Sequence, residues 1–235
     1  MEVGFLCTMD LSCNRKIITT KDGSNSLLVP ALNEQYHSIH GAKQEAEHVF
    51  LKMGLEDSSI QAHCNTNSIS VFEVGFGTGL NALLSANWAI LNNKKIEYTA
   101  IEKYPVSKEE FDQLNYGDLL GEVELYNQIS NSKWEEFVTI NNHFKVKKIA
   151  LDLIADELPK GFDVVYFDAF APNKQPKLWE VSVFEKIYSI MTSKGVLVTY
   201  CCQGQARRNM IEAGFKVEKV QGPPGKREML RARKL

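Results

Sequence analysis

The sequence predicts a doubly wound α/β domain, and three observations carry that prediction. Strand-like and helix-like segments alternate from residue 70 onward, a Gly-rich turn follows the first central strand at once, and carboxylates stand at the ends of successive strands. Alternation of this kind builds a parallel sheet covered by helices. Open sheets bind ligands beyond the carboxyl ends of their strands. Residues at those ends are therefore the candidates for chemistry.

Residues 1–13 show no clear period. Ile17–Thr20 and Ser26–Val29 flank Lys21-Asp22-Gly23-Ser24, an Asp-Gly signal for a hairpin. Tyr36-His37-Ser38-Ile39-His40 follows, then a helix over 41–54 with Gly54 as its stop. We read residues 1–55 as an N-terminal hairpin and helix extension and 56–235 as the main domain, with 56–67 a loop. His37, His40 and His48 match no common metal spacing, and no metal is expected.

The central strand Ser70–Val74 carries Glu73 and leads into Gly75, Gly77 and Gly79, with a helix beginning at Leu80-Asn81. Glycines at a helix N-terminus let backbone come close to a ligand. Dinucleotide sites favour Gly-x-Gly-x-x-Gly, whereas the spacing here is Gly-x-Gly-x-Gly behind an acid. A carboxylate there repels a pyrophosphate but accepts hydrogen bonds from an ammonium or a ribose hydroxyl. That points to a cofactor with an amino-acid head and no phosphate, such as S-adenosyl-L-methionine (SAM). A purely structural turn is the alternative.

A second strand, 95–101, delivers Glu102, placed either to hold ribose hydroxyls or as a plain exposed carboxylate. A helix over 105–119 follows. Residues 120–145 are ambiguous, with Trp134–Phe137 read as helical. A third strand, 145–151, delivers Asp152, and a fourth, 162–167, delivers Asp168-Ala169-Phe170-Ala171-Pro172. Helix 176–191, strand 195–201, helix 205–213 and two strands at 215–220 and 228–233 complete the pattern, with Gly222-Pro223-Pro224-Gly225 between the last two.

With 235 residues, 44% hydrophobic and 24% charged, the chain has the composition of a soluble globular protein. It has no membrane-length apolar run and no signal-peptide pattern. Five cysteines without a Cys-x-x-Cys pair suit reduced thiols in the cytoplasm and support neither a disulfide framework nor zinc. The net charge is −2, yet residues 207–235 hold nine Lys or Arg against three Glu. That asymmetry suits either a basic face for a polyanion, including Arg207 and Arg208, or a solvated terminal hairpin.

Several stretches together resemble the methyltransferase domain of the bifunctional tRNA wobble-uridine enzyme MnmC and its stand-alone relatives. They are Asp22-Gly23-Ser24, Tyr36-His37-Ser38 with Gly41-Ala42, Glu73–Asn81, Glu102–Pro105, Asp168–Lys174, Trp179 and Gly225–Leu230. The Asp168–Pro172 and Lys226–Met229 segments are the most specific. Val74 and Ala169 depart mildly from the family pattern, which commonly has Thr and Gly there.

The resemblance implies a Rossmann-like class I SAM-dependent methyltransferase fold, with a seven-stranded, mostly parallel sheet ending in an antiparallel hairpin. It implies methylation of the exocyclic amine of 5-aminomethyl-2-thiouridine at the wobble position, in the tRNA anticodon loop. SAM would be held by Glu73, Gly75, Gly77, Gly79, Leu80, Asn81, Glu102, Asp152 and Asp168. Asp168, Phe170 and Pro172 would form the catalytic segment, with Tyr36, Ser38, Lys226 and Arg227 on the substrate. The chain ends where the bifunctional enzyme continues into a flavin-dependent domain. Removal of a carboxymethyl group and FAD are therefore not expected, and a separate enzyme would supply the aminomethyl precursor.

Methyl transfer to an amine needs a neutral nitrogen in line with the methyl carbon and sulfur, and an alkyl ammonium has a pKa near ~10. Asp168 is placed to accept from that amine and take its proton, Phe170 to stack on the base, and Pro172 to stiffen the loop. Cys201 and Cys202 read as packing residues, since attack at an exocyclic amine needs no covalent nucleophile. The rivals are methylation of another amine, a nicotinamide-dependent oxidoreductase, against which Glu73 argues, and a non-catalytic RNA-binding module, which would not need three carboxylates at cofactor positions.

Overall fold

In the computed structural model, which describes residues 15–63 and 68–235, three short strands form an antiparallel sheet: β1 (Lys16–Thr19), β2 (Asn25–Val29) and β3 (Glu34–Gln35). The irregular terminus expected for 1–13, with Cys7, Cys13 and Cys64, lies outside the described residues. Asp22 closes the first turn by accepting from Thr20 Oγ1, Ser24 N and Ser24 Oγ.

Helix α1 (Ala42–Ala46) runs directly into a π-helical segment, Glu47–Leu55. Gly54 is not the expected stop. A Cβ there would stand 3.1 Å from Val198 Cγ2 and 3.4 Å from the Tyr166 ring, so glycine lets the helix approach the sheet closely. Helix α2 (Ser58–His63) occupies part of the expected 56–67 loop. Asp57, nearly fully buried, accepts from Ser59 and pairs with Arg231 and Arg233 at 2.7 Å each, tying this region to the last strand.

Next come β4 (Ser68–Val74), α3 (Leu80–Leu91) and β5 (Lys95–Glu102). The expected 105–119 helix divides into α4 (Lys108–Phe111), started by a Ser107–Glu110 capping box, and α5 (Tyr116–Leu120). Helix α6 (Val123–Ser130) follows. Trp134–Phe137 is not helical. Glu135 adopts a φ of 68° and donates its N–H to the Lys148 carbonyl at 2.7 Å, steering β6 (Phe137–Thr139) alongside β7 (Phe144–Ala150).

The remaining elements are β8 (Phe162–Phe167), a 3₁₀ turn at Pro176–Trp179, α7 (Val181–Ile190), β9 (Met191–Thr199), α8 (Gly204–Glu212), β10 (Lys216–Gln221) and β11 (Glu228–Arg233). The main sheet has the order β10-β11-β9-β8-β4-β5-β7-β6. It has eight strands rather than seven because β6 adds an antiparallel edge. The five strands from β9 to β7 are parallel, and β11 and β10 close the other side as an antiparallel hairpin. Strand order reverses direction at β4, between β5 and β8, which is where such sheets open a crevice.

Period-two alternation sorts the core into two layers. Val164, Tyr166, Val196 and Val198 pack on one face with Leu27, Val49 and Phe50, so the N-terminal elements share that core. Val165, Phe167 and Leu197 pack on the other with Trp179, Phe184 and Met210. Lys148 of β7 is almost wholly buried and donates to the Ile129 and Ser130 carbonyls at the end of α6. Its ammonium lies 5.3 Å from the Phe76 ring and 5.1 Å from Trp134, and burial pushes its pKa down to about 8.

Candidate functional site

The Gly-rich turn between β4 and α3 is braced from β5. Gly75 and Phe76 N–H both donate to the Ile101 carbonyl, and Gly77 N–H donates to Glu102 Oε2 at 3.1 Å. Glu102 Oε1 accepts from Tyr104 N–H at 2.8 Å, which fixes the carboxylate at the strand end. Gly75 and Gly77 have φ values of 89° and 50°. A Cβ on Gly75 would stand 3.1 Å from the Asp168 carbonyl oxygen, and one on Gly77 3.0 Å from the Tyr36 ring. The turn thus passes between the two segments that carry Asp168 and Tyr36, a passage only glycine allows.

Beyond the strand ends opens a cleft of about 710 Å³, within the ~300–1,000 Å³ typical of small-molecule sites. Gly75, Gly77, Leu80, Asn81, Glu102 and Asp152 line it. Tyr36, Ser38, Asp168, Phe170 and Lys226 also line it. Glu73, Gly79, Pro172, Arg207, Arg208 and Arg227 are not among its walls. Glu73 is fully buried, and Arg208 turns back to Gln205.

Asn81 joins two of the acids. Its Nδ2 donates to Glu73 Oε1 and to Asp168 Oδ2, each at 2.9 Å. Burial holds the Glu73 carboxyl well above the usual range, with the Asn81 hydrogen bond opposing and Asp168 and Glu102 adding to the rise. Burial likewise raises Asp168 to about 7, the Asn81 hydrogen bond and Lys226 opposing and Glu45 assisting. Asp152 differs: Lys103 Nζ at 2.7 Å and the Ile154 N–H hold its carboxyl below the usual range despite partial burial.

In the same cleft Tyr36 meets Phe170 edge-on, ring centroids 5.2 Å apart. Arg15 donates to the Tyr36 hydroxyl and the Tyr104 carbonyl and pairs with Glu110, linking the N-terminal piece to the β5 loop. Burial raises the Tyr36 hydroxyl to about 12, with Glu102 adding to the rise. Lys226 pairs with Glu45 at 2.5 Å and lies over the Tyr200 ring at 4.2 Å. Glu45 also accepts from Ser38 N–H, and Tyr200 donates to the Ala169 carbonyl. The Trp179 indole donates to the Phe170 carbonyl and steadies that loop.

Sequence reasoning passed over Arg15, Glu45 and Tyr200. Glu45 lies in Lys43-Gln44-Glu45-Ala46-Glu47, which reads as an ordinary solvated helix face. Its partner Ser38 stands seven residues earlier, before the helix begins, so helical spacing gives no ground to pair them.

The residues present fit SAM. Left-handed glycines open the backbone, Glu102 is a fixed acceptor of the kind ribose hydroxyls need, and Asn81 Oδ1 is a buried acceptor with no partner among the described residues, suited to an ammonium. Leu151, Leu153 and Ile154 add apolar wall for an adenine ring.

Residues 123–235 match a family described as S-adenosyl-L-methionine-dependent methyltransferase. The match covers just under half of the chain, and the fold is that of class I SAM-dependent methyltransferases. Within that class its sequence is similar to "tRNA 5-methylaminomethyl-2-thiouridine biosynthesis bifunctional protein MnmC". The identity is 28% over 219 residues with the Cupriavidus metallidurans protein, covering 87% of this chain and 32% of that one. For Campylobacter fetus it is 28% over 205 residues, covering 80% and 31%. The chain spans about a third of the length of these relatives.

Among solved structures, MNMC2 from Aquifex aeolicus is similar at a TM-score of 0.69 and 24% identity, covering 93% of this chain and 70% of that one. A probable spermidine synthase from Corynebacterium glutamicum matches at 0.54 and 14%, covering 93% and 76%. These two likenesses concern the fold.

Proposed function

We propose that the chain methylates the exocyclic amine of 5-aminomethyl-2-thiouridine at the tRNA wobble position, giving 5-methylaminomethyl-2-thiouridine. The observation that carries this reading is the placement of Asp168. It shares one cleft with the Gly-rich turn and with the Tyr36–Phe170 aromatic pair. Residues 56–235 supply the cofactor side and the extension over 1–55 contributes Tyr36, Ser38 and Glu45 to the acceptor side.

SAM, when bound, supplies a methyl group on a sulfonium centre. Gly75, Gly77, Leu80, Asn81, Glu102 and Asp152, all on the cleft wall, would hold it, and Glu73 and Gly79, off that wall, would support the turn. Asp168 accepts a hydrogen bond from the acceptor amine and takes its proton; a carboxyl raised to about 7 is a better base than an ordinary aspartate. Phe170 and Tyr36 receive the flipped base, and Pro172 stiffens the loop behind them. Lys226, engaged by Glu45 and Tyr200, serves the wall of the base pocket, which leaves Arg227 as the phosphate contact of the pair. The partner is the anticodon loop of tRNA, and a separate enzyme supplies the aminomethyl group. Cytoplasmic residence suits that substrate; among the described residues no helix is long and apolar enough to cross a membrane.

The test is transfer of labelled methyl from SAM to tRNA that lacks only this final methyl, followed by nucleoside analysis. Appearance of 5-methylaminomethyl-2-thiouridine is expected. Label on another nucleoside, or none, overturns the assignment.

A further inference from the structure

Asn81 stands in the first turn of α3, where asparagine is a weak helix former. Helix packing alone would be served as well by alanine. Its side chain is instead spent on two acids: both Nδ2 contacts go to carboxylate oxygens, Glu73 Oε1 and Asp168 Oδ2. Nδ2 carries two donors, one for each carboxyl oxygen, so a single amide nitrogen serves both acids at once. Glu73 does not line the cleft, so this amide is its link to the reacting groups. Asp168 Oδ1 accepts no hydrogen bond among the described residues.

We infer that Asn81 is a positioning residue, which clamps Asp168 through Oδ2, backed by Glu73, and leaves Oδ1 presented to the acceptor amine. This deepens the methyl-transfer reading above and rests on it. Asp168 is faced by Glu73 from β4, Glu45 from α1, Lys226 from the β10–β11 loop, and the Tyr98 and Tyr200 hydroxyls. Against that crowd the clamp does two things. It fixes the rotamer, and it favours the ionised carboxyl, because a hydrogen bond to the charged form lowers a pKa.

The experiment follows the Asp168 carboxyl by ¹³C NMR in ligand-free protein and measures pH–rate profiles beside it. In Asn81→Ala the titration midpoint should rise, the pH–rate inflection should move with it, and turnover at neutral pH should fall roughly 10- to 100-fold, the equivalent of one hydrogen bond to a charged group. Asn81→Ser, which keeps one donor, should fall between. Adding Glu73→Gln to Asn81→Ala should cost little more, because Glu73 acts through the amide.

An unchanged midpoint in a folded Asn81→Ala or Asn81→Ser protein overturns the inference, as do fully additive losses in the double variant. The NMR midpoint needs no substrate. A midpoint that shifts as expected in a protein inactive on the wobble nucleoside would sink the functional reading and leave the clamp standing.

Discussion

The cofactor side of the cleft comes from a short length of chain, whereas the acceptor side is gathered from distant ones. Gly75, Gly77, Asn81 and Glu102 lie within 28 residues, in the turn after β4, the helix that follows it and the end of the neighbouring parallel strand β5. Tyr36, Glu45, Asp168, Phe170, Tyr200 and Lys226 come from the N-terminal extension, the β8 and β9 ends and the terminal hairpin loop. The electrostatics differ as well. Glu102 is held in place by backbone N–H groups, and Asp152 by Lys103, which holds its carboxyl below the usual range. Asp168 is buried among acids, so its charge state is adjustable. On the function proposed above, binding would belong to the first side and proton handling to the second.

The largest expected effect tests that division. Asp168→Asn should reduce methyl transfer by about 10²- to 10⁴-fold, the range for a lost acid–base group, while SAM affinity by calorimetry stays close to that of the unsubstituted protein. In the unsubstituted protein turnover should rise as pH passes about 7, because only the ionised carboxyl can accept, and the inflection should vanish in Asp168→Asn. Stability provides a second check. Folding raises this carboxyl above its unfolded value, so its penalty is absent below about 3.8, grows as pH rises, and is complete above about 7. Thermal melts should show Asp168→Asn gaining stability at pH 8 relative to pH 3.

Next in size, Glu102→Ala should weaken SAM binding by about 1.5–3 kcal/mol, as for hydrogen bonds to charged groups. If calorimetry shows transfer damaged and affinity intact, the two sides are not separable in this way. Lys226→Ala and Arg227→Ala then sharpen the acceptor side. Because Lys226 is engaged by Glu45, its loss should raise the KM for tRNA several-fold without altering salt dependence. Loss of Arg227 should reduce the magnitude of the salt slope by about 0.7, as for one single-strand phosphate contact. The reverse pattern in filter-binding titrations would exchange their roles. Smallest is Asp152→Asn, where the pair with half-exposed Lys103 should contribute less than about 1 kcal/mol to stability in denaturant titrations.

Legibility in the sequence follows the same divide. The alternation of strands and helices and the carboxylates at strand ends could be read because period and turn chemistry are local signals. Edge strand β6 could not. Trp134-Glu135-Glu136-Phe137 has helical spacing of its aromatics, and what prevents the helix is pairing with Lys148 and Ala150, contributed by a later strand. Gly54 reads as a helix stop, yet its reason is contact with Val198, 144 positions on. Asn81 could be placed at the turn from sequence. Its grip on Asp168, 87 residues away, could not.

The pair between Glu45 and Lys226 joins residues 181 positions apart. A contact of that span has a temporal side. Loop-closure entropy grows with the logarithm of separation. The central strand β4 pairs with β5, the next strand in the chain, and with β8 far beyond it, and β11 inserts between β10 and β9, so the sheet itself is a late, non-local product of the chain. The Glu45–Lys226 pair can close only once the strands on both flanks of the β10–β11 loop exist, which ties the completion of that wall to the completion of the whole sheet.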